Sequence, residues 1–270
     1  MSVEDTFGLI GRDVGNCHVE SFVTEGGFGL VYKGHHRIYK TPCAVKVLKF
    51  PRGMEAARRA TLVEKFFDEA RMTRSLKHPA IVDVIDVGEF SDAAGQRTPW
   101  IAFEWVPGPT LKAHLATHRR RFSREEALDL LRPVIDALAV AHDHQVAHRD
   151  IKPANLMLMP TGAGALLRLL DFGIAKVMRE DARPPGDTMT AGDRAFTPTY
   201  AAPEQIEGKT TGPWTDVHAL GLILVELLAG EHPYGAQWMI RVIHPIRPTP
   251  QVFGIDAALE RIAADRKSVV

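Results

Sequence analysis

The residues best suited to chemistry fall in one short run, His148-Arg149-Asp150-Ile151-Lys152-Pro153-Ala154-Asn155, followed by Asp171-Phe172-Gly173. Asp150, Asn155 and Asp171 supply two carboxylates and an amide carbonyl within 22 residues. These are hard oxygen donors of the kind Mg²⁺ takes beside a phosphate. Lys152, two positions after Asp150, adds positive charge where a migrating phosphoryl group needs it. Each of these is an ordinary loop residue in isolation. Their ordered combination points to phosphoryl transfer.

Two upstream features fit that chemistry. Thr24-Glu25-Gly26-Gly27-Phe28-Gly29-Leu30-Val31 places glycines between two apolar runs, where backbone N–H groups approach a phosphate without a Cβ in the way. A glycine-rich hairpin turn explains the same residues equally well. Lys46, in AVKV, has only apolar strand neighbours, and an ammonium buried there needs an anion. Glu69, 23 residues on, is a candidate partner, whereas a lysine that snorkels to water needs none.

These residues must be positioned by a strand-rich first part and a helical second part. His18 to Val23, Leu30 to Tyr32 and Cys43 to Phe50 read as strands. Arg58 to Leu76 has helical spacing, with Leu62, Phe66, Phe67 and Ala70 on one side. Ile81 to Val87 and Trp100 to Val106 read as a hairpin around SDAAGQRT, and Pro107-Gly108-Pro109 breaks the pattern. Beyond it, Ser123 and Glu126 form a capping box ahead of a stripe of Leu128, Leu131, Ile135 and Leu138. A cleft between two such lobes is a natural ligand site.

Composition closes off other classes. The 270 residues carry 33 Lys+Arg against 33 Asp+Glu, with 45% hydrophobic and 24% charged residues. That is a globular composition, not a disordered, collagenous or coiled-coil one. A net charge of zero argues against coating nucleic acid. Two cysteines, Cys17 and Cys43, suggest a reducing cytoplasm. No secretory signal is visible, and the longest apolar run, Val217 to Ala229, has 13 residues where a membrane span needs about 20. That run reads as a helix buried on most sides. Among the 12 histidines, His35-His36 and His142/His144 lack zinc-site spacing to cysteines or carboxylates. The run His118 to Arg121 reads as a solvated loop or, less readily, a docking patch.

The glycine loop, AVKV, the helix Glu, HRDIKPAN, DFG and AAPE stand in the order of the protein kinase signature set. On these motifs the chain resembles a Ser/Thr protein kinase catalytic domain. SLKHPAIVDVIDVGE, HRDIKPANLML and YAAPEQ bring it nearest the bacterial eukaryotic-like (Hanks-type) branch. The resemblance runs from about residue 18 to about residue 266. It implies an α+β, bilobal protein-kinase-like fold, with a β-rich N-lobe with one main helix at 18–106 and a helical C-lobe at 107–270.

The resemblance also implies roles. Asp150 would orient the substrate hydroxyl and accept its proton, and Lys152 would steady the γ-phosphate. Asn155 and Asp171 would hold Mg²⁺, with Mn²⁺ as a substitute. Lys46, paired with Glu69, would grip the α- and β-phosphates of ATP under the loop Thr24, Glu25, Gly26, Gly27, Phe28 and Gly29. Val31 and Ala44 would roof the adenine, Met157 would floor it, and the backbone of Glu104 to Val106 would bond its edge, with Phe103 guarding the pocket behind. Asp216 would brace the catalytic loop. Implied partners are ATP and a protein bearing Ser or Thr, this chain included, with a transient dimer for autophosphorylation. No nucleic acid and no membrane segment of this chain is implied, although a parent protein would have room for further domains or an anchor beyond Val270.

Departures from the pattern are Thr24 for the first loop glycine, Phe196 before Thr197-Pro198, His218 where an aromatic is common, and Thr73 at an apolar spine position. Glu204 would pair with Arg266, or alternatively Arg261. Arg149 before the catalytic Asp, with Lys176, would form a basic pocket for a phosphate on Thr188 or Thr190. Asp193 is the competing, permanent source of that charge, and solvated threonines are the plain alternative. Two rivals are a small-molecule phosphotransferase, which usually lacks Lys152 and the Ala202-Pro203-Glu204 segment, and a non-catalytic pseudokinase, which requires a lost Lys, Asp or Asn.

Overall fold

The computed structural model describes residues 5–26, 29–50, 53–92, 95–118, 120–162, 164–170 and 198–234, and only the backbone of Glu69 and Pro198. Two compact units emerge. Among the described residues, the first holds 5–77 and 82–106, and the second 78–81, 107–170 and 198–234.

The first unit is an antiparallel sheet in the order β1-β2-β3-β4-β6-β5. Its strands are β1 (Asp13–Val14), β2 (Cys17–Gly26), β3 (Gly29–His36), β4 (Thr41–Leu48), β5 (Val84–Ser91) and β6 (Arg97–Glu104). Ile81 to Asp83 stay outside β5, so the strand begins later than the apolar run suggests. Strict alternation sends Leu30, Tyr32, Cys43, Val45, Val47, Trp100 and Ala102 to one face, where they form a core with Cys17 and Val19. The other face carries a second set in register: Val31 opposite Lys46, Lys46 opposite Ile101, and Ala44 opposite Phe103. Gly29 is held by packing. A Cβ there would fall 2.2 Å from Val47 O, so no side chain fits between β3 and β4.

Helix α1 (Ala56–Ser75) buries Leu62, Phe66, Ala70 and Thr73. The steps of four, four and three residues keep one face turned inward. Phe67 is only half-buried.

The second unit begins with α2 (Leu111–Thr117), whose N-terminus is capped by Thr110. Helix α3 (Arg124–Asp143) follows, with the capping box complete. Ser123 Oγ accepts from Glu126 N–H at 3.1 Å, and the Glu126 carboxylate accepts from Ser123 N–H at 2.8 Å. After a 3₁₀ turn (Pro153–Asn155) comes the hairpin β7 (Leu156–Thr161) and β8 (Gly164–Leu169). Two helices follow, α4 (Pro203–Ile206) and α5 (Pro213–Ala229), the latter opened by Pro213 and closed by Gly230 at φ +78°. Among the described residues no helix is long and apolar enough to cross a membrane.

The buried stripe of α3 keeps Leu131 and Leu138 of the expected four, but leaves Leu128 half-buried and Ile135 exposed. Ala127, Leu131, Val134, Ala137, Leu138 and Ala141 face inward, while Ile135 is 44% exposed. Small alanines let α3 approach β8 and α5 closely, and this selects a face that a search for large residues misses. Leu131→Ala is therefore expected to cost about 2–5 kcal/mol, against about 1 kcal/mol or less for Ile135→Ala, in urea unfolding monitored by circular dichroism.

Candidate active site

In the second unit the loop from His148 to Asn155 is built around a fully buried carboxylate, Asp216 of α5. Asp216 Oδ2 accepts from His148 N–H at 2.8 Å and Oδ1 from Arg149 N–H at 2.6 Å. A third donor, His142 Nε2 of α3, reaches Oδ2 at 2.9 Å. Two consecutive backbone N–H groups converging on one anion act as a nest. Arg149 adopts φ +64° here, a left-handed conformation that costs a non-glycine residue about 1–2 kcal/mol. The hydrogen bonds to Asp216 offset that cost. Gln205 of α4 adds a further tie, donating to Arg149 O at 2.7 Å while its carbonyl accepts from Ala202 N–H at 3.0 Å.

The buried His148 ring has a fixed tautomer. Asp150 N–H donates to Nδ1 at 3.2 Å, so Nε2 carries the hydrogen and donates to Leu170 O at 2.8 Å. The ring thereby links the loop to the end of β8.

Asp150 projects from this frame. Its Oδ2 accepts from Lys152 Nζ at 2.7 Å and from Asn155 Nδ2 at 3.0 Å, and Asn155 Nδ2 also reaches Asp150 O at 2.8 Å. Both donors meet the same carboxylate oxygen, and among the described residues Oδ1 accepts no hydrogen bond. With its NH₂ committed to Asp150, Asn155 presents its amide oxygen, an atom that suits a hard divalent cation. Asp171 lies outside the described residues, as do Lys176, Thr188, Thr190, Asp193 and Phe196. A small crevice of about 10 Å³, room for one water, is lined by Arg149, Asp150, Lys152, Tyr200, Gln205 and Thr215.

Tyr200 and Glu226 anchor the segment before α4, with Tyr200 OH donating to Glu226 Oε2 at 2.5 Å. Burial pushes both the Tyr200 hydroxyl and the Glu226 carboxyl above their ordinary ranges. His232 packs edge-on against Tyr200, donates from Nε2 to Thr199 O at 3.1 Å, and accepts at Nδ1 from Tyr234 N–H at 3.2 Å. Glu204 accepts from Thr215 Oγ1 at 2.8 Å, while Arg261 and Arg266 lie outside the described residues.

In the first unit, Val31, Ala44, Lys46 and Phe103 share one sheet face by register. Thr24, Glu25 and Gly26 end β2, and Gly26 pairs with Gly29 across the turn. Gly27 and Phe28 lie outside the described residues. Glu69 sits on α1, where only its backbone is described. Along the segment that follows β6, Glu104 N–H donates to Asp83 O at 3.0 Å and Trp105 N–H to Pro42 O at 3.3 Å. Of the three N–H groups from Glu104 to Val106, that of Val106 is the one with no backbone acceptor among the described residues. Met157 of β7, in the second unit, is half-buried and bridges to Thr110.

Sequence reasoning named Asp150, Lys152, Asn155 and Asp216, and the structure brings these together. It passed over His142, Gln205, Thr215 and the Tyr200–Glu226 pair, whose partners stand 11 to 74 positions away.

Comparison with known proteins decides the family. The model described as "Protein kinase domain" matches residues 17–262. The chain belongs to the protein kinase domain family. Among curated relatives, the serine/threonine-protein kinase PknA of Mycobacterium tuberculosis is 35% identical over 239 residues, covering 87% of this chain and 52% of PknA. The serine/threonine-protein kinase Pkn1 of Myxococcus xanthus is 34% identical over 261 residues, covering 94% of this chain and 35% of Pkn1. The chain thus spans about half the length of PknA and about a third of Pkn1. The crystal structure of the M. tuberculosis PknI kinase domain superposes with a TM-score of 0.67 at 28% identity, covering 94% of this chain and 90% of that one. The fold is accordingly the α+β protein kinase fold. Protein kinases use ATP with a divalent metal and act on proteins.

Burial lowers the His232 imidazole to about 4. Between that value and the unfolded-chain value of about 6.5, the unfolded state binds the extra proton. The contribution of His232 to stability is thus full above about pH 6.5 and lost as pH falls toward 4. Urea midpoints measured across this window are expected to fall with acidification, and less steeply in His232→Gln.

Proposed function

We propose that this kinase domain transfers the γ-phosphoryl group of Mg-ATP to Ser or Thr hydroxyls of proteins, including its own, in bacterial signalling. The observation that carries the reading is the Asp150 carboxylate, held at one oxygen by Lys152 and Asn155 and, among the described residues, open at the other.

In this reading residues 18–106 form the nucleotide-binding lobe and residues 107–270 the catalytic, substrate-binding lobe. The hydroxyl docks on Asp150 Oδ1, its oxygen forms the new bond to phosphorus as the bond to the β-phosphate oxygen breaks, and its proton passes to Asp150. Little proton chemistry is required, because orientation and charge neutralisation dominate phosphoryl transfer. Lys152, fixed by Asp150, places its ammonium for the transferring group. Asn155 through its amide oxygen, together with Asp171, would hold Mg²⁺ or Mn²⁺, which when bound neutralises phosphate charge. Lys46 takes the α- and β-phosphates with Glu69 as its partner, beneath the loop from Thr24 to Gly29. Val31, Ala44 and Met157 sandwich the adenine, Phe103 limits the space behind it, and the Val106 N–H bonds its edge.

Arg149 and Lys176 form the receiving site for a phosphate on Thr188 or Thr190, acquired by autophosphorylation in a transient dimer. A cytoplasmic location agrees with Cys17 and Cys43, both free and buried. The relatives' names as serine/threonine-protein kinases support the choice of acceptor.

Incubation with radiolabelled Mg-ATP and a generic basic protein is expected to label substrate and kinase. Asp150→Asn should reduce labelling by about 10²-fold or more, and equal labelling by both proteins would refute the assignment. Thr188→Ala/Thr190→Ala is expected to lower the rate of substrate labelling. An unchanged rate would transfer the role to Asp193.

A further inference from the structure

On the sheet face that also carries Val31 and Ala44, strand register brings together groups that are scattered in the sequence. Asp13 of β1 pairs with His18 of β2, and His18 pairs with His35 of β3. Asp13 Oδ1 lies 2.7 Å from His18 Nδ1, and Glu20 Oε1 lies 2.8 Å from His35 Nδ1. An ionised carboxylate only accepts, so Nδ1 carries the hydrogen in both rings and a neutral ring keeps its lone pair on Nε2. The hydrogen bond from His18, helped by the charge of Arg37, holds the Asp13 carboxyl below its ordinary range. Carboxylates bonded to Nδ1 fix tautomer and ring orientation in metal-bound histidines in the same manner.

The spacing agrees. Two imidazoles sharing one tetrahedral ion, with Zn–N about 2.0–2.1 Å and each nitrogen about 1.1 Å from its ring centre, have centres about 5 Å apart. The His18 and His35 centroids are 5.3 Å apart, with ring planes inclined by 43° rather than stacked flat. Their side chains are 37% and 42% exposed, open enough for an ion to enter. A plain ion-pair role fits less well, since exposed pairs contribute little and protonating both rings would set like charges on directly opposed positions.

We propose that His18 and His35 bind one borderline transition-metal ion, Zn²⁺ or Cu²⁺, through their Nε2 atoms, with Asp13 and Glu20 orienting the rings and water filling the remaining positions. Among the described residues no group of three or more His, Cys, Asp or Glu side chains could hold a metal ion, so the protein would supply two imidazoles and water the rest. Imidazole donors select against Mg²⁺, which separates this site from the oxygen donors of Asn155 and Asp171. Spacing rules based on neighbours in sequence cannot find it, because the hairpin of β2 and β3 brings the two ligands together.

The test is calorimetric titration of the metal-free, untagged chain with ZnCl₂ and, separately, MgCl₂. The wild type is expected to take up one equivalent of Zn²⁺ that His18→Gln and His35→Gln each lose or bind at least tenfold more weakly, with Mg²⁺ giving no such equivalent. Asp13→Asn and Glu20→Gln should weaken the same equivalent by about 10–100-fold. Unchanged stoichiometry and affinity in His18→Gln and His35→Gln, or no saturable Zn²⁺ binding by the wild type, overturns the proposal. A readout that needs no variant is Cu²⁺-induced broadening of amide resonances. Broadening centred on residues 13–20 and 33–37 supports the site, and broadening centred elsewhere excludes it.

Discussion

The catalytic loop of this kinase depends on one buried negative charge. Asp216 sits in α5 with no solvent contact, and a carboxylate there is tolerable only because three donors surround it. Two of those donors are consecutive backbone N–H groups of the loop itself, so satisfying the carboxylate and shaping the loop are the same event. His148 carries the constraint to β8, Gln205 carries it to α4, and Asp150 emerges with one carboxylate oxygen committed to Lys152 and Asn155. The side chains proposed to touch substrate are few; the hydrogen bonds behind them fix where they stand.

The sheet of the first unit works on a different physical basis. Its order comes from the period of two, which sends one set of residues to the core and presents Val31, Ala44, Lys46, Ile101 and Phe103 together on the opposite surface. Glycine at position 29 is required by the carbonyl of Val47, so this residue of the glycine run is explained by strand packing before any phosphate is considered. The segment after β6 shows the same economy, with two of its three N–H groups committed internally. In the proposed reading, a nucleotide base meets a surface whose hydrogen-bonding options have already been narrowed.

Much of this was legible in the chain itself. The catalytic run, the capping box at Ser123 and Glu126, the α1 face and the alternation of β4 are local patterns, and local patterns survive folding when nothing opposes them. What escaped was set by distance or by size. Ile135 reads as core by its type, yet alanines at 127, 137 and 141 give closer packing and leave it in water. His142 looks like an unremarkable helix residue until α5 brings Asp216 against it, and Gln205 gains its purpose only from the carbonyl of Arg149. His18 and His35 are 17 positions apart and meet only because β2 and β3 choose one register.

Arg149 combines two costs in one residue. Its backbone occupies a left-handed conformation that glycine would adopt freely, and its Nε is buried without a hydrogen-bond partner among the described residues. A chain selected for rest-state stability alone would place glycine at this position. In the proposed reading, an anion that engages the guanidinium would give this Nε the acceptor it lacks among the described residues and relieve the cost of burying it unpaired.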